Sequence, residues 1–238
     1  MARMTTTMPE RRDQTTTDMK NREKQYRTFL PAKSYAVIRV DGKGFSKYTR
    51  GLQRPFDPKF TADMQATALY LCENIDGAQF AYTQSDEISV IISDLGSANT
   101  QAWFGGQVQK IVSTSAALAT AKFNRIRPEI DALAFFDGRT HHLEGSAGVL
   151  EYLQWRQADA MKNSVGMLAS HHFSHRELTG VSVRRRKEML AGRGILWEDL
   201  GQEVKQGTFV RRVLTERSIS YLHKKEQVMK TSDVQRRE

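Results

Sequence analysis

Two carboxylate-bearing turns carry the strongest chemical signal in this chain. The first is Tyr35-Ala36-Val37-Ile38-Arg39-Val40-Asp41-Gly42-Lys43-Gly44-Phe45, an apolar segment that runs into a carboxylate and two glycines. The second is Ala81-Tyr82-Thr83-Gln84-Ser85-Asp86-Glu87-Ile88-Ser89-Val90-Ile91-Ile92, where a short apolar segment meets Ser85-Asp86-Glu87 and another follows. Mg²⁺ takes oxygen ligands and is commonly held by one or two carboxylates together with substrate phosphates. Two such ions can clamp the attacking and leaving oxygens of an in-line phosphoryl displacement. Asp41 and Asp86, each expected at the edge of a strand, could meet that requirement. Asp-Gly is also a common hairpin-turn pair, and Ser-Asp-Glu an ordinary polar turn. Either turn alone reads as structural; the two together bring the metal reading level with it. Phosphoryl and nucleotidyl transfer depend on positioning and charge neutralisation more than on a protein nucleophile. No Ser-His-Asp or Cys-His arrangement is evident in the sequence.

Positioning the two carboxylates calls for a sheet. Residues 36–40 read as a buried strand, and 79–83 and the segment ending at Ile92 as a hairpin around the Ser85-Asp86-Glu87 turn. Between them, Phe60, Met64, Ala68, Leu71 and Ile75 recur at spacings of three and four, which predicts a helix over 58–75. A second long helical stretch covers 98–125. A fourth strand is expected over 133–136, ending at Asp137-Gly138-Arg139. The order β-α-β-β-α-β is that of the α+β, ferredoxin-like split βαβ arrangement. It predicts a four-stranded antiparallel sheet with two helices on one face and the other face open to a substrate. Further on, 147–173 reads as a third helix, 181–191 as a short basic helix and 205–210 as a turn and strand. The division expected is a disordered segment 1–19, a palm-like catalytic region 20–140, a helical RNA-binding extension of the same domain 141–221, and a mobile tail 222–238.

Composition narrows the partners. The 238 residues are 39% hydrophobic, enough for a core, and the mean hydropathy of −0.56 is that of a soluble chain. No run approaches the ~18 apolar residues of a membrane span, and the Thr-rich, charged N-terminus lacks the apolar core of a secretory signal. The single cysteine, Cys72, falls in a helical pattern and is expected in the core; it can build neither a disulfide framework nor a zinc cluster. A cytoplasmic setting is expected. The net charge of +9 favours a polyanion, nucleic acid foremost, over a merely solubilising surface. Basic residues cluster at Arg184-Arg185-Arg186-Lys187, Arg211-Arg212 and Lys224-Lys225.

Five short motifs then occur in order: Arg39-Val40-Asp41-Gly42-Lys43-Gly44-Phe45, Gln84-Ser85-Asp86-Glu87, Phe136-Asp137-Gly138-Arg139, Trp155-Arg156-Gln157-Ala158-Asp159 and Lys205-Gln206-Gly207-Thr208. Together they resemble the tRNA-histidine guanylyltransferase family of 3′-5′ nucleotide polymerases. The resemblance implies a polymerase-type palm with two Mg²⁺ ions held by Asp41, Asp86 and the Gly42 carbonyl, and Glu87 as an acidic catalytic neighbour. It implies that Arg39, Lys43, Gly44, Phe45, Ser85 and Lys110 hold nucleotide, although Lys110 reads equally as an exposed helix lysine and Ser85 as a turn cap. Arg156, Lys162 and Asn163, with Arg184, Arg185, Arg186 and Lys187, are expected to meet RNA. The substrates implied are tRNA with ATP, GTP or other nucleoside triphosphates. ATP first adenylylates the 5′ end; the 3′-hydroxyl of the incoming nucleotide then attacks the activated phosphate and releases AMP. A homotetramer is also implied.

The sequence departs from the histidine-tRNA enzymes. Where they carry His-Ile-Asn-Asn-Leu-Tyr-Asn, this chain reads Met161-Lys162-Asn163-Ser164-Val165-Gly166-Met167; Ser46 stands for a histidine, and Gln107 for a basic residue. It is closer to the bacterial and archaeal guanylyltransferase-like branch, which repairs 5′-truncated tRNAs against the opposite acceptor strand. Three alternatives stand beside that expectation. One is addition of G at position −1 of tRNA-histidine. Another is a palm-type nucleotide cyclase, which would not need the basic C-terminal segment. The third is a non-catalytic RNA-binding sheet, which should show aromatic residues on its central strands; no such signature surrounds Asp41 or Asp86.

Overall fold

The computed structural model describes the backbone of residues 8–223 and 228–237 except 98 and 212, and the side-chain environments of 13–213 with the same exceptions. Its centre is a sheet in the order β4-β1-β3-β2-β5, antiparallel at every pairing. The strands are β1 (Tyr35–Gly42), β2 (Ala78–Gln84), β3 (Glu87–Ser93), β4 (Phe136–Leu143) and β5 (Thr208–Arg211). The single-turn helix α2 (Phe45–Tyr48) and helix α3 (Pro58–Asn74) connect β1 to β2, and α4 (Val108–Ile126) connects β3 to β4. The first four strands and these two helices form the expected ferredoxin-like α+β arrangement.

Strand alternation decides which residues face which helices. Ala36, Ile38 and Val40 of β1, with Ile88, Val90 and Ile92 of β3, join Met64, Ala68 and Leu71 of α3 and Ile111, Ala119 and Phe123 of α4 in the main core. Cys72 is buried there too. Asp57 caps α3, its carboxylate accepting the Phe60 N–H at 2.8 Å. The opposite face carries Val37, Arg39 and Asp41 on β1 and Glu87, Ser89 and Ile91 on β3. That face is not open throughout. Helix α5 (Gly145–His172) lies on part of it and buries Val149 and Tyr152 against Val37, Ile91 and Leu143. The far half of α5 anchors a small second core, in which Leu168 and Ala169 meet Leu178 of α6 (His175–Leu178) and Leu190 of α7 (Val183–Ala191).

Several boundaries differ from the sequence reading. The segment expected to be disordered contains α1 (Met8–Lys24), whose described side chains are all exposed. Local pairs hold it, including the Gln14 amide donating to Asp18 at 3.0 Å. The helix expected from residue 98 begins only at Val108, because Phe104 and Gly105 take left-handed backbone angles. The fourth strand starts at Phe136 rather than ending there, and the Asp-Gly-Arg motif lies inside it. Polar alternation on an edge strand hid it. The 205–210 segment adds a fifth strand, led by α8 (Gln202–Gln206). Gly207 turns the chain at φ +76°, and a Cβ there would come within 2.6 Å of the Tyr82 hydroxyl. Of the tail expected to be mobile, 222–238, residues 224–227 and 238 lie outside the described residues, and the backbone of the rest supplies β7 (Val228–Arg237) and the end of β6 (Leu214–His223), which pair as an antiparallel hairpin.

Directly behind the β1 turn, the rings of Phe45, Tyr48, Phe60, Phe123 and Phe136 pack with centroids 5.0 to 6.1 Å apart. Phe123 touches all four of the others. Phe123→Ala should therefore cost about 3–5 kcal/mol of unfolding free energy, read from urea denaturation. A loss below about 1 kcal/mol would show that the cluster collapses around the deletion.

Candidate active site

The site is built where β1 ends. Asp41 is the penultimate residue of that strand and lies directly opposite Glu87 on β3 and Asp137 on β4. Asp86 sits in the β2–β3 turn, and its carbonyl accepts the Gly42 N–H at 3.1 Å. The turn is tight enough that Ser85 takes φ +49°. Gly42 has no room for a side chain, since a Cβ would lie 2.4 Å from the Phe45 ring. Two carboxylate turns remote in sequence are thus joined by a backbone hydrogen bond.

Burial pushes the Asp86 carboxyl above its ordinary value of 3.8, and the negative charge of Asp41 pushes it further. Hydrogen bonds from its own backbone N–H and from Ser85 oppose both. On the other side of Asp41, the Arg139 guanidinium lies 3.9 Å from its carboxylate and 3.0 Å from Asp137. The sequence reading missed Arg139, although its motif was visible, because it was read past the end of a strand.

Glu87, expected beside the metals, is committed elsewhere. Arg156 grips both its oxygens, Nε to Oε1 and Nη2 to Oε2, each at 2.8 Å. Arg39 stands 4.0 Å from the same Oε2. Burial pushes the Glu87 carboxyl upward, and the Arg156 charge and hydrogen bonds oppose this. Arg156, expected on the RNA surface, is buried between Glu87 and Asp159 and is not available to an external phosphate.

A cleft of about 1010 Å³ opens beside Asp86, walled in part by Phe45, Ser85, Asp86, Lys162, Asn163 and Arg186. It brings residues expected to hold nucleotide together with others expected to hold RNA. Lys43 and Gly44 are exposed at the β1 turn, and Phe45 turns its ring into the aromatic cluster. Lys110 is elsewhere. Its neighbour Ile111 closes a hollow with Leu30, Ser34 and Ala36, at the start of β1. Lys110 stands in the first turn of α4 rather than mid-helix, beside Glu23, Tyr26 and Gln107, with its Nζ 5.8 Å from the Phe104 ring centroid.

The basic helix α7 is also divided. Arg184 and Arg185 are exposed, each beside Glu188. Arg186 turns inward, donating to the carbonyls of Val181 and Leu178. Lys187 pairs with Glu198 at 3.0 Å and lies 3.4 Å from the Trp197 ring centroid. Among the described residues, no group of three or more His, Cys, Asp or Glu is arranged to hold a metal unaided. The oxygens present, two carboxylates and the Gly42 carbonyl, suit a hard cation that completes its shell with phosphate and water.

A ferredoxin-like sheet with paired carboxylates at a strand end, beside a cleft of nucleotide size, defines a palm-type nucleotidyltransferase. Residues 16–144 match the family model described as tRNAHis guanylyltransferase, and the chain belongs to that family. It is similar in structure to a bacterial tRNA(His) guanylyltransferase-like protein in complex with ATP, with TM-score 0.80, 39% identity, and 82% of this chain and 87% of that one covered. A bacterial guanylyltransferase-like protein in complex with GTP matches with TM-score 0.76 and 34% identity, over 92% and 90% of the two chains. The tRNA(His) guanylyltransferase of Schizosaccharomyces pombe is 30% identical over 60% of this chain and 56% of its own length. No described helix is long and apolar enough to cross a membrane.

Two stability measurements test the electrostatics. A carboxyl with a raised folded pKa binds more protons folded than unfolded, so stability falls as pH rises through 3.8 toward the folded value. In metal-free buffer, Asp86→Asn should raise Tm at pH 7, with the gain shrinking as pH drops to 3.8. Melting curves across that range check it; a gain independent of pH would contradict the assignment. Arg156→Ala leaves a buried carboxylate unpaired and should cost about 3–5 kcal/mol, whereas Glu87→Leu with Arg156→Met should regain most of it. Chemical denaturation of the three proteins decides the point.

Proposed function

We propose that this chain adds nucleotides in the 3′-5′ direction to the 5′ end of truncated tRNA, copying the opposite strand of the acceptor stem. The observation that carries the reading is the pairing of the Asp41 and Asp86 turns, joined by the Gly42 N–H to Asp86 carbonyl hydrogen bond, with Asp86 in the wall of the cleft. The 39% identity to a bacterial guanylyltransferase-like protein supports the repair branch, as does the Met161–Met167 sequence in place of the histidine-tRNA run.

Asp41, Asp86 and the Gly42 carbonyl would hold Mg²⁺, which supplies charge neutralisation at the phosphates and at the reacting oxygens. The Lys162, Asn163 and Arg186 side chains line the cleft where a triphosphate would lie. In the first transfer, an oxygen of the RNA 5′ monophosphate attacks the α-phosphorus of ATP and pyrophosphate leaves. In the second, the 3′-hydroxyl of the incoming triphosphate attacks the adenylylated 5′ phosphate and AMP leaves. A 5′ triphosphate needs no activation, since pyrophosphate leaves directly. Both steps are in-line displacements, for which orientation and electrostatics suffice.

A templating strand provides the hydrogen-bond pattern itself, so the protein needs only to hold phosphates and metal. A pocket that reads guanine unaided would reject analogues by leaving its own buried polar groups unpaired. The test uses four truncated tRNAs that differ only in the base opposite the missing nucleotide. The preferred triphosphate should change with that base, and Asp41→Ala should abolish addition to all four. GTP incorporation at similar rates into every substrate would instead indicate guanylyl transfer without a template.

A further inference from the structure

One large side chain at the site has no task in that scheme. Trp155 leaves 53% of its surface exposed, although its neighbours on α5, Tyr152 and Arg156, are buried. We infer that Trp155 is a stacking platform for a nucleobase at the reacting end of the RNA. This rests on the proposed function and adds the surface that receives the polymer.

The ring is held rather than loose. The guanidinium carbons of Arg156 and Arg39 lie 4.5 and 5.5 Å from its centroid. Both guanidiniums converge on one oxygen of Glu87, at 2.8 and 4.0 Å, so they form a single shelf behind the indole. The Tyr152 ring meets it edge-on at 5.8 Å, and Tyr152 is itself fixed by a 2.7 Å hydrogen bond with Ser89. An aromatic side chain fixed this way loses little entropy when a base settles on it.

Its position fits one of two substrates. Arg39 is two residues before Asp41 on the same face of β1, a separation of about 7 Å. Nucleotidyl transfer must bring two nucleotide-bearing partners to one pair of carboxylates. The cleft lies on the Asp86 side, where Lys162, Asn163 and Arg186 add cationic and polar groups to a wall that also carries Phe56, Met64 and Met167, as a nucleotide with its triphosphate requires. The Trp155 shelf lies toward the β4 edge and is open, as a polymer end requires. Arg139, half-exposed across Asp41 and Asp137, adds positive charge on that side. Unpaired or terminal bases are commonly received on aromatic faces and guanidinium planes. An apolar protein partner would find one indole ringed by charges.

The experiment compares wild type, Trp155→Ala and Trp155→Tyr, with a labelled 5′-truncated tRNA titrated by anisotropy. ATP binding, Tm and sedimentation are measured on the same samples. Trp155→Ala should weaken RNA binding about 5- to 150-fold, the range for loss of one stacked base. Trp155→Tyr should stay within about three-fold of wild type, since tyrosine also stacks. ATP affinity and sedimentation should be unchanged in both variants, and Trp155→Ala should lower Tm only slightly, by the loss of its contacts with Arg156, Arg39 and Tyr152. Unchanged RNA affinity in Trp155→Ala overturns the platform. So does an equal fold loss of ATP affinity, which would make Trp155 a packing residue of the whole site, or a change in sedimentation, which would make it a contact between copies of the chain. Wild-type protein that binds no RNA defeats the proposed function itself, whereas wild-type binding with an unchanged alanine variant defeats only the platform.

Discussion

The bidentate ion pair between Glu87 and Arg156 is the constraint on which the rest of the site depends. Without it, one face of the sheet would carry an isolated carboxylate, and α5 would have only Val149, Tyr152 and their neighbours to fix its crossing. With it, the helix is pinned one residue from Trp155 and seven from Asn163. Seven residues are close to two helical turns, so Asn163 falls on nearly the same stripe as Arg156, about 10 Å along the axis. One interaction in the middle of a 28-residue helix therefore sets both sides of the site, the cleft wall below and the indole shelf above. The pair is weak as a source of net stability, because burying two charges offsets much of their attraction. Its value is register.

The second organising feature is the handling of negative charge in a chain that carries +9 overall. Asp41, Glu87 and Asp137 stand directly opposite one another across three strands, with Asp86 in the adjoining turn. Directly opposed like charges destabilise a sheet. The structure divides them: Glu87 is neutralised by Arg156 and Arg39, and Asp137 by Arg139, which also approaches Asp41. Asp86 is left with burial and the Asp41 charge against it, and only hydrogen bonds from its own backbone N–H and from Ser85 in support. A carboxylate left uncompensated in this way is destabilising to the fold and favourable to an incoming cation. Glu87 and Asp86, adjacent in sequence, differ in character because Glu87 opens β3 and meets Arg156 of α5, whereas Asp86 lies in the turn at the cleft.

Much of this was legible in the sequence, for identifiable reasons. β1 and β3 are mainly apolar, broken within by Arg39 and Ser89, and buried on both sides along part of their length, and α3 has a clean helical period. The two carboxylate turns were visible because glycine and polar residues interrupt those runs. What failed depends on long-range geometry. An edge strand such as β4, with exposed positions along most of its length, has no apolar signature to mark its start. Lys110 does not line the cleft, because a helix period does not say which wall a lysine in the first turn will face. Arg156 read as an RNA contact because an arginine in a polar motif gives no sign that its partner is a glutamate 69 residues earlier. Arg184, Arg185, Arg186 and Lys187 read as one basic patch, yet a helix sends consecutive residues around its axis, and two of the four turn toward protein groups.

The absence of a protein nucleophile from the reading also constrains how such a site could change its chemistry. A covalent mechanism fixes specificity at the nucleophile and its base. Here every reacting oxygen would belong to a substrate, and the chain contributes only placement and charge. The direction of synthesis would then depend on which substrate's 3′-hydroxyl and which substrate's 5′ phosphate are brought to the Asp41–Asp86 junction. A cleft on one side and an open shelf on the other present unlike surfaces to a free nucleotide and a polymer end. Exchanging the two would force the bulky RNA into a cleft bounded by α3, α5 and α7. On this view polarity of synthesis follows from steric access at a site whose chemistry is otherwise indifferent to direction.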